Sequence, residues 1–462
     1  MLKYLNPSGL TPLASKAITG HPITVLLLAG LIFYLAWLPM QAGSQFLQFS
    51  INGVVIGAVY ALMALGFTLV YGTVWFFDLS YGAMATVGGY SVFYFTSRQV
   101  QTIGRGEINN LPLNIIMGVL LASVLGWALY TWLLPSLRNR LNRHISFGLC
   151  AVLAAAFGVY ILFTLENPPQ LHIFMSPAIG VIVAIAAAWA VSRSVPIGKS
   201  GSTVRRFVVI SGAVGAITLG VFCAALVAGE PGSILYLSWA MGALLAGSVG
   251  LAIYRGIYFY LRRQARSPLV MLVGSLGLLL SITAFISIIF SPDGRPLSEP
   301  FGSIPWSFGG AFIKPFQVFI IGVALTVFVG LALLLNRTTF GMAARAIGDD
   351  EEVARIVGIN TPVIIAIIFF LGAAISALGG ILLGEDIGIR PQMGLLLLLK
   401  GWIASVVGGI GNIQGALLGG FVLGMVENYG VWYVPAQWKD AIAFVLLIFF
   451  LSFWPKGILP RA

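Results

Sequence analysis

The chain has 462 residues, of which 59% are hydrophobic and only 8% are charged. A typical soluble domain carries about 25% charged residues, so this composition excludes a large soluble enzyme, a disordered protein and a secreted disulfide scaffold. It leaves a polytopic membrane protein. The 25 basic residues outnumber the 14 acidic ones, and in such a protein the excess reports on which side of the bilayer the cations lie.

Long apolar runs follow one another along the whole chain. A helix needs about 20 apolar residues to cross the hydrocarbon core, and these runs lack the alternation of barrel strands. The sequence therefore predicts an all-α polytopic integral membrane protein with about 10–14 transmembrane helices, some broken or re-entrant at Gly and Pro. The candidate spans are 23–40, 47–72, 75–97, 113–134, 147–166, 171–192, 206–229, 232–255, 269–291, 315–335, 361–384, 393–411, 413–434 and 437–454.

Basic residues concentrate in alternate breaks between these runs. Clusters around Arg140, Arg205, Arg262 and Arg337 are separated by even numbers of candidate spans. By the positive-inside rule these breaks are cytoplasmic, and both termini are predicted to be cytoplasmic too. The first run, 23–40, is either a cleaved signal peptide or a retained span; its long basic leader favours the retained span.

Motifs for metal and nucleotide chemistry are incomplete. Cys150 and Cys223 are far apart in apolar sequence, which fits neither a disulfide framework nor a metal site. The segment 198–200 reads Gly-Lys-Ser, but Arg193 stands where a phosphate-binding loop needs its first Gly. We therefore expect no metal and no cofactor on this chain, and no ATPase of its own.

The segment 337–361 is the only long stretch with dense charge. Four consecutive carboxylates, 349–352, favour a helix start because of the helix dipole, and Gly358 is a natural stop. The sequence predicts a short amphipathic helix from about 350 to 357, read either as a solvated loop or as a docking helix for a soluble partner. The candidate coupling residues are Arg345, Asp349, Asp350, Glu351, Glu352, Ala354, Arg355 and Gly358.

Polar side chains within the apolar runs are the other candidates for function, because burying them in a membrane is costly. They are Asn52, Tyr60, Asp78, Ser80, Lys400, Asn412, Gln414, Glu427 and Asn428. Two interpretations stay open: a polar path between helices, or internal pairing such as Lys400 with Glu427. The glycines Gly408, Gly409, Gly411 and Gly415 favour close packing or a broken helix. Glu385, Asp386 and Arg390 are expected at the outer face, either solvated or against a binding protein.

Several segments resemble one transporter family. Residues 352–358, Glu-Val-Ala-Arg-Ile-Val-Gly, are similar to the Glu-Ala-Ala-x-x-x-Gly loop of ABC importer permeases. Residues 51–72, 407–416 and 455–459 resemble the permease subunits of branched-chain amino-acid ABC transporters. These anchors lie within about 45–97 and 232–460, so the resemblance covers most of the chain outside one segment.

The resemblance implies a non-catalytic permease subunit of the bacterial inner (plasma) membrane. It would form half of the translocation path for branched-chain or other hydrophobic amino acids. The implied partners are a second, homologous permease subunit in a heterodimer, two cytoplasmic ATPases that dock on residues 340–358, an extracytoplasmic binding protein and membrane lipid, without nucleic acid. ATP and Mg would bind the partner ATPases.

Two features depart from that family. Residues 113–230 form an apparent insertion of four helices, which divides the chain into 1–44, 45–112, 113–230 and 231–462. Residues 77–82 contain Asp-Leu-Ser-x-Gly, which resembles ribose-type permeases of the same superfamily. Permeases for urea or short amides, an ion-coupled secondary transporter and a scaffolding membrane protein remain the alternatives.

Overall fold

The protein is helical almost throughout the part that the structure, a computed structural model, describes. The described residues are 43–96, 111–133, 143–166, 175–176, 179, 218, 233–264, 267–297, 304–432 and 434–459. Within them, eight helices are long and apolar enough to cross a membrane, and one further bent pair forms a broken or re-entrant span. This confirms the predicted all-α polytopic membrane fold. The predicted span 23–40, and nearly all of 171–192 and 206–229, lie outside the described residues.

Fourteen α-helices are numbered here in chain order within the described ranges. They are α1 (Gly43–Val74), α2 (Ser80–Thr96), α3 (Leu111–Ala128), α4 (Arg143–Glu166), α5 (Ser233–Ile253), α6 (Phe259–Gln264), α7 (Pro268–Phe290), α8 (Pro315–Arg337), α9 (Thr339–Asp349), α10 (Glu351–Ile356), α11 (Thr361–Ile387), α12 (Met393–Gly408), α13 (Ile413–Gly430) and α14 (Lys439–Phe453). Wider π-helical turns follow α3 at Leu129–Leu133 and join α5 to α6 at Tyr254–Tyr258. A 3₁₀ turn, Ala436–Trp438, precedes α14.

The chain divides into two compact units. The first unit comprises residues 1–68, 301–332 and 400–462, and the second comprises 69–300 and 333–399. This division is made by contacts in space. The boundaries expected from the sequence, which separate an inserted segment from a permease core, stay a prediction.

A short β-hairpin in the first unit was not predicted. Strands β1 (Trp306–Phe308) and β2 (Ala311–Ile313) pair antiparallel across a two-residue turn. Both turn residues, Gly309 and Gly310, have positive φ angles, which is the requirement of the hairpin turn whose twist matches the strands. Gln48 on α1 holds β2, because its Oε1 accepts from Phe312 N at 2.7 Å and its Nε2 donates to Phe312 O at 3.1 Å.

Helices α12 and α13 meet at a sharp bend of 116°. A short segment after α14 closes over the bend: Ile458 N donates to Val407 O at 2.9 Å and Leu459 N donates to Gly408 O at 2.8 Å. These bonds satisfy carbonyls that the end of α12 would otherwise leave unpaired. The stretch predicted as two spans, 393–411 and 413–434, is therefore one bent pair of helices.

Helices α1 and α13 approach each other closely along glycines. A Cβ added at Gly53 would lie 3.0 Å from Met425 Cα, and one at Gly57 would lie 2.9 Å from Phe421 Cα. From the other side, a Cβ at Gly420 would lie 2.5 Å from Ala61 Cα. Small residues four apart allow this backbone contact, which drives helix association in lipid through packing.

The second unit is built on α2, α5 and α11. Gly88 on α2 faces Ala377 on α11, and Gly242 on α5 faces the carbonyl of Gly88. Ser376 Oγ donates to Tyr81 O at 2.8 Å and so ties α11 to α2. A buried apolar cluster joins this core to α3 and α4, and it comprises Tyr94, Phe95, Leu121, Ile161, Leu237, Met241 and Leu245.

Gly420→Ala is expected to loosen the first unit. The new Cβ would stand 2.6 Å from Ala61 Cβ as well as against backbone, and such overpacking costs about 1–3 kcal/mol. Gly322→Ala on α8 is the matched control, because nothing lies within 4 Å of a Cβ there and Ala is favoured over Gly in a helix by about 0.8–1.0 kcal/mol. Thermal melting of the detergent-solubilised protein measures both. Equal melting temperatures for the two variants would contradict this packing.

Candidate functional site

The charged segment folds into two short helices joined at one residue. Asp350 ends α9 and begins α10, where its Oδ1 accepts from Glu352 N at 2.8 Å and from Val353 N at 3.0 Å. A carboxylate in this position satisfies free backbone donors and favours the positive end of the helix. The predicted helix start at 350 is thus explained by Asp350 as the cap.

The short helix stops before Gly358, as the sequence predicts, and the backbone there is left-handed. Gly358 has a φ of +91°, which favours glycine. Gly358 N donates to Arg355 O at 3.1 Å, and Ile359 N donates to Ala354 O at 3.0 Å. This pattern ties off the last carbonyls of α10 and fixes the direction in which the chain enters α11.

Large apolar side chains are exposed at α10 and at its C-terminal end, beside the charged Glu352 and Arg355. Ala354 is buried, whereas Ile356 is 83% exposed, Val357 70% and Val353 54%. A buried small residue on one side and large apolar residues in the open on the other indicate a surface that something covers. We call Val353, Ile356 and Val357 the apolar face.

The charged candidates in the segment differ in their surroundings. Glu351 is partly buried and forms ion pairs with Arg262 and with Arg355, the second at 3.1 Å. Arg345 Nη1 donates to Asn336 Oδ1 at 3.4 Å. Three carboxylates, Asp349, Asp350 and Glu352, are exposed. Of the four consecutive carboxylates, only Glu351 is partly buried.

A second candidate site lies in the first unit, around Lys400. Its Nζ lies 3.1 Å from Glu427 Oε2, 3.0 Å from the Tyr60 hydroxyl and 3.0 Å from Asp440 Oδ1. Tyr60 in turn donates to Glu427 Oε2 at 2.8 Å. The side chain of Glu427 is buried, and that of Lys400 is 15% exposed. This Lys400 cluster brings together three predicted residues from α1, α12 and α13.

The other predicted polar residues of the first unit make local bonds. Asn412 caps α13, accepting from Gln414 N at 2.9 Å and from Gly415 N at 3.3 Å. Asn428 donates within its own helix to Gly424 O at 2.9 Å. Asn52 Oδ1 accepts from Gln48 Nε2 at 3.2 Å. Gly408 and Gly415 face each other across the bend, where a side chain on either would meet backbone.

Asp78 and Ser80 form a separate buried cluster in the second unit. Asp78 Oδ1 accepts from Ser80 N at 2.9 Å, Ser80 Oγ at 2.7 Å and the Tyr258 hydroxyl at 2.7 Å. Leu79 N donates to Ser275 Oγ at 3.1 Å. The predicted polar residues thus fall into two groups, one in each unit, and each group is bonded within its own unit. Glu427 Oε1 is a buried atom without a hydrogen-bond partner among the described residues.

Glu385 differs from the expectation of a solvated or partner-facing carboxylate. It is buried near the end of α11, where Trp239 Nε1 donates to its Oε1 at 3.2 Å. Asp386 and Arg390 follow it towards the isolated bridge between Arg295 and Ile389. Its place near the end of a predicted span suggested solvent, but Trp239 on α5 covers it.

Sequence reasoning missed three residues that complete these clusters. Asp440 was missed because it lies at the start of a predicted span. Tyr258 was missed because a tyrosine in an apolar run is typical of a hydrophobic core. Arg262 was missed because its basic cluster was used only to predict the orientation of the chain. No group of three or more His, Cys, Asp or Glu side chains within the described ranges is arranged to hold a metal ion.

Comparison with known proteins gives consistent matches. The profile of the family described as "Branched-chain amino acid transport system / permease component" matches residues 49–172 and 204–451. BraD of Pseudomonas aeruginosa, a high-affinity branched-chain amino acid transport system permease protein, is 36% identical over 233 residues, 48% of this chain and 74% of BraD. LivH of Escherichia coli K12, of the same description, is 33% identical over 239 residues, 50% of this chain and 77% of LivH.

A relative with a different description also matches. LsrC of Yersinia enterocolitica, named an autoinducer 2 import system permease protein, is 34% identical over 220 residues, 46% of this chain and 58% of LsrC. No solved structure matches significantly. The family profile covers most of the chain, including the charged segment 337–361, the Lys400 cluster and the Asp78 cluster. The chain therefore belongs to the family of permease components of branched-chain amino-acid transport systems.

Proposed function

We propose that the chain is the membrane-spanning subunit of an ATP-driven importer for branched-chain or other hydrophobic amino acids. The names of BraD and LivH support the substrate class. The chain itself is non-catalytic in this proposal, and ATP with Mg binds partner ATPases. A second, homologous permease completes the path, and a binding protein delivers the substrate from outside. Both termini lie on the cytoplasmic side of the bacterial plasma membrane.

The apolar face of α10 is the observation that carries the ATPase part of the proposal. Three large apolar side chains stand in the open on a helix flanked by exposed carboxylates. Charged neighbours place this helix in water, where exposed apolar area is unfavourable by about 25 cal/mol per Å² until a partner covers it. A soluble protein on the cytoplasmic side is the partner that fits. A secondary transporter has no need of such a surface.

The Lys400 cluster is the proposed polar element of the translocation path. A cation and a carboxylate buried between helices of a membrane protein are costly, and they commonly mark a substrate route. A free amino acid carries both an ammonium and a carboxylate. Lys400 could pair with the carboxylate and Glu427 with the ammonium. The competing interpretation is that the pair only fixes helix packing.

The test of the function is uptake by the purified complex in proteoliposomes. Labelled leucine should accumulate only with ATP inside and the binding protein outside. Uptake driven by an ion gradient without ATP would contradict the proposal and favour a secondary transporter. If urea, acetamide or ribose inhibits the uptake of labelled leucine, whereas valine and isoleucine do not, the substrate belongs to another class of the superfamily.

Ile356→Asp is expected to release the ATPases. Because Ile356 is 83% exposed, the change should alter the free energy of unfolding by less than about 0.5 kcal/mol. A charge in the centre of an apolar interface costs about 2–4 kcal/mol of binding, which is thirtyfold or more in affinity. Co-purification of the ATPases with the tagged permease measures this. Ile304→Asp is the matched control, since Ile304 is 81% exposed but lies outside the segment. Equal ATPase recovery with both variants would refute the docking surface.

The variant Lys400→Met and the double variant Lys400→Met with Glu427→Gln together distinguish a translocation role of the Lys400 cluster from a packing role. The single variant leaves the buried Glu427 carboxylate without its cation, which is expected to cost about 3–5 kcal/mol of stability. The double variant should recover most of the melting temperature but still transport at least about tenfold more slowly than the wild type. Wild-type uptake by the double variant would show that the pair serves packing alone.

A further inference from the structure

Glu351, the first residue of α10, forms an ion pair with a residue of another helix. Its Oε2 pairs with Arg262 Nη2 on α6, and its Oε1 accepts from Arg355 at 3.1 Å and from the Thr361 hydroxyl at 3.4 Å. Its side chain is only 20% exposed, and that of Arg262 is 34% exposed. Partial burial makes this ion pair stronger than an ordinary surface pair. The pair therefore ties α10 to the end of the α5–α6 helix.

The residue one turn before Arg262 reaches a different element. Tyr258 ends the π-helical turn Tyr254–Tyr258, and its buried hydroxyl donates to Asp78 Oδ1 at 2.7 Å and lies 2.9 Å from Ser80 Oγ. Asp78 and Ser80 form the start of α2. Tyr258 and Arg262 are four residues apart, about 6 Å along a helix axis. The same helix end thus contacts both α10 and the first turn of α2.

A third contact closes the arrangement into a ring. Trp75, three residues before Asp78, donates from Nε1 to Gly348 O near the end of α9 at 2.6 Å. Its φ is +55°, a left-handed conformation that costs about 1–3 kcal/mol for a bulky residue and persists where surrounding contacts hold it. The ring runs from α9 through Trp75 and Asp78 to Tyr258 and Arg262, and back through Glu351 to α10.

π-helical turns inside α-helices occur frequently at functional sites. Here the wider turn lies next to the two contacts, between the straight helix α5 and the short α6 that carries Arg262. A movement of α10 would act on Arg262 through this ion pair, and the nearest departure from regular α geometry is this turn. Tyr258 at the end of the turn is bonded to Asp78 and would pass such a movement to it.

We propose that Arg262 is a positioning residue that couples the ATPase-docking segment to the first turn of α2 through the Tyr258–Asp78 hydrogen bond. This inference rests on the proposed function, because it requires ATPases on α10. The inference goes beyond the proposed function because it names the residues that transmit the movement of α10. Arg262 and Tyr258 contact neither ATPase nor substrate in this scheme, so their loss should uncouple ATP hydrolysis from uptake without releasing the ATPases.

The first experiment compares Arg262→Gln with Arg263→Gln in the full reconstituted transporter. Both remove one cation from the same helix end, but Arg263 lies over the Phe259 ring at 4.3 Å and has no ion pair with α10 within the described residues. Arg262→Gln should retain ATPase co-purification and basal hydrolysis. It should lower both uptake and the stimulation of hydrolysis by loaded binding protein about fivefold or more. Arg262→Lys should restore part of both, whereas Arg263→Gln should behave as wild type.

A double-mutant cycle tests whether Arg262 acts through its ion pair with Glu351 or independently of it. If Arg262 acts through Glu351, Glu351→Gln combined with Arg262→Gln should be no worse than either single variant. Additive losses of coupling would overturn the proposal. Parallel losses of coupling and ATPase binding would overturn it as well, because the pair would then serve docking only.

Tyr258→Phe tests the second link independently, since it removes one hydroxyl and leaves Asp78 with its two bonds from Ser80. Tyr254→Phe in the same turn is its control, because Tyr254 stacks on Phe369 at 5.0 Å without a bond to Asp78. Tyr258→Phe should lower the uptake-to-hydrolysis ratio about threefold or more, and Tyr254→Phe should not. Equal ratios for both would refute the relay. Absence of ATP-dependent uptake in the wild type would instead refute the proposed function.

Discussion

The cost of burying polar groups inside a membrane governs this structure. Lipid offers no hydrogen bonds, so an unpaired donor or acceptor in the hydrocarbon costs several kcal/mol. Glu427 is accordingly met by Lys400 and Tyr60, and Asp78 by Ser80 and Tyr258. Each cluster joins segments from distant parts of the sequence. The buried charges of these two clusters therefore act as fixed points between helices that are otherwise mostly apolar.

Close backbone contact supplies the other part of the stability. Because helices in lipid gain little from the hydrophobic effect, dispersion contacts across small residues carry their association. Gly57 and Gly420 let α1 and α13 meet in the first unit, and Gly88 and Gly380 let α2 and α11 meet in the second. The bend between α12 and α13 follows the same rule, since Gly408 and Gly415 allow two chain segments to touch there. These glycines of the described helices thus lie where two backbones come together.

Much of the fold could be predicted from sequence because span length and local caps are local properties. The spans, the short helix in the charged segment and its stop at Gly358 follow from hydropathy, from Asp350 and from glycine geometry. The pairing of Lys400 with Glu427 was one of two interpretations, since both lie in apolar runs. The Tyr258–Asp78 bond could not be foreseen, because the partners are 180 residues apart and a π-helical turn sets the direction of Tyr258. The hairpin at 306–313 was missed because its strands are only three residues long.

The apolar face of α10 also bears on how the protein is made. Before any partner arrives, Val353, Ile356 and Val357 lie open to the aqueous phase beside a newly inserted membrane domain. Such a patch invites nonspecific association and recognition by chaperones and proteases that triage unassembled chains. If the proposed ATPases cover this surface in the assembled transporter, a copy without them would be a preferred target of that triage. The surface proposed to receive the driving movement would then also limit how many copies accumulate without their partners.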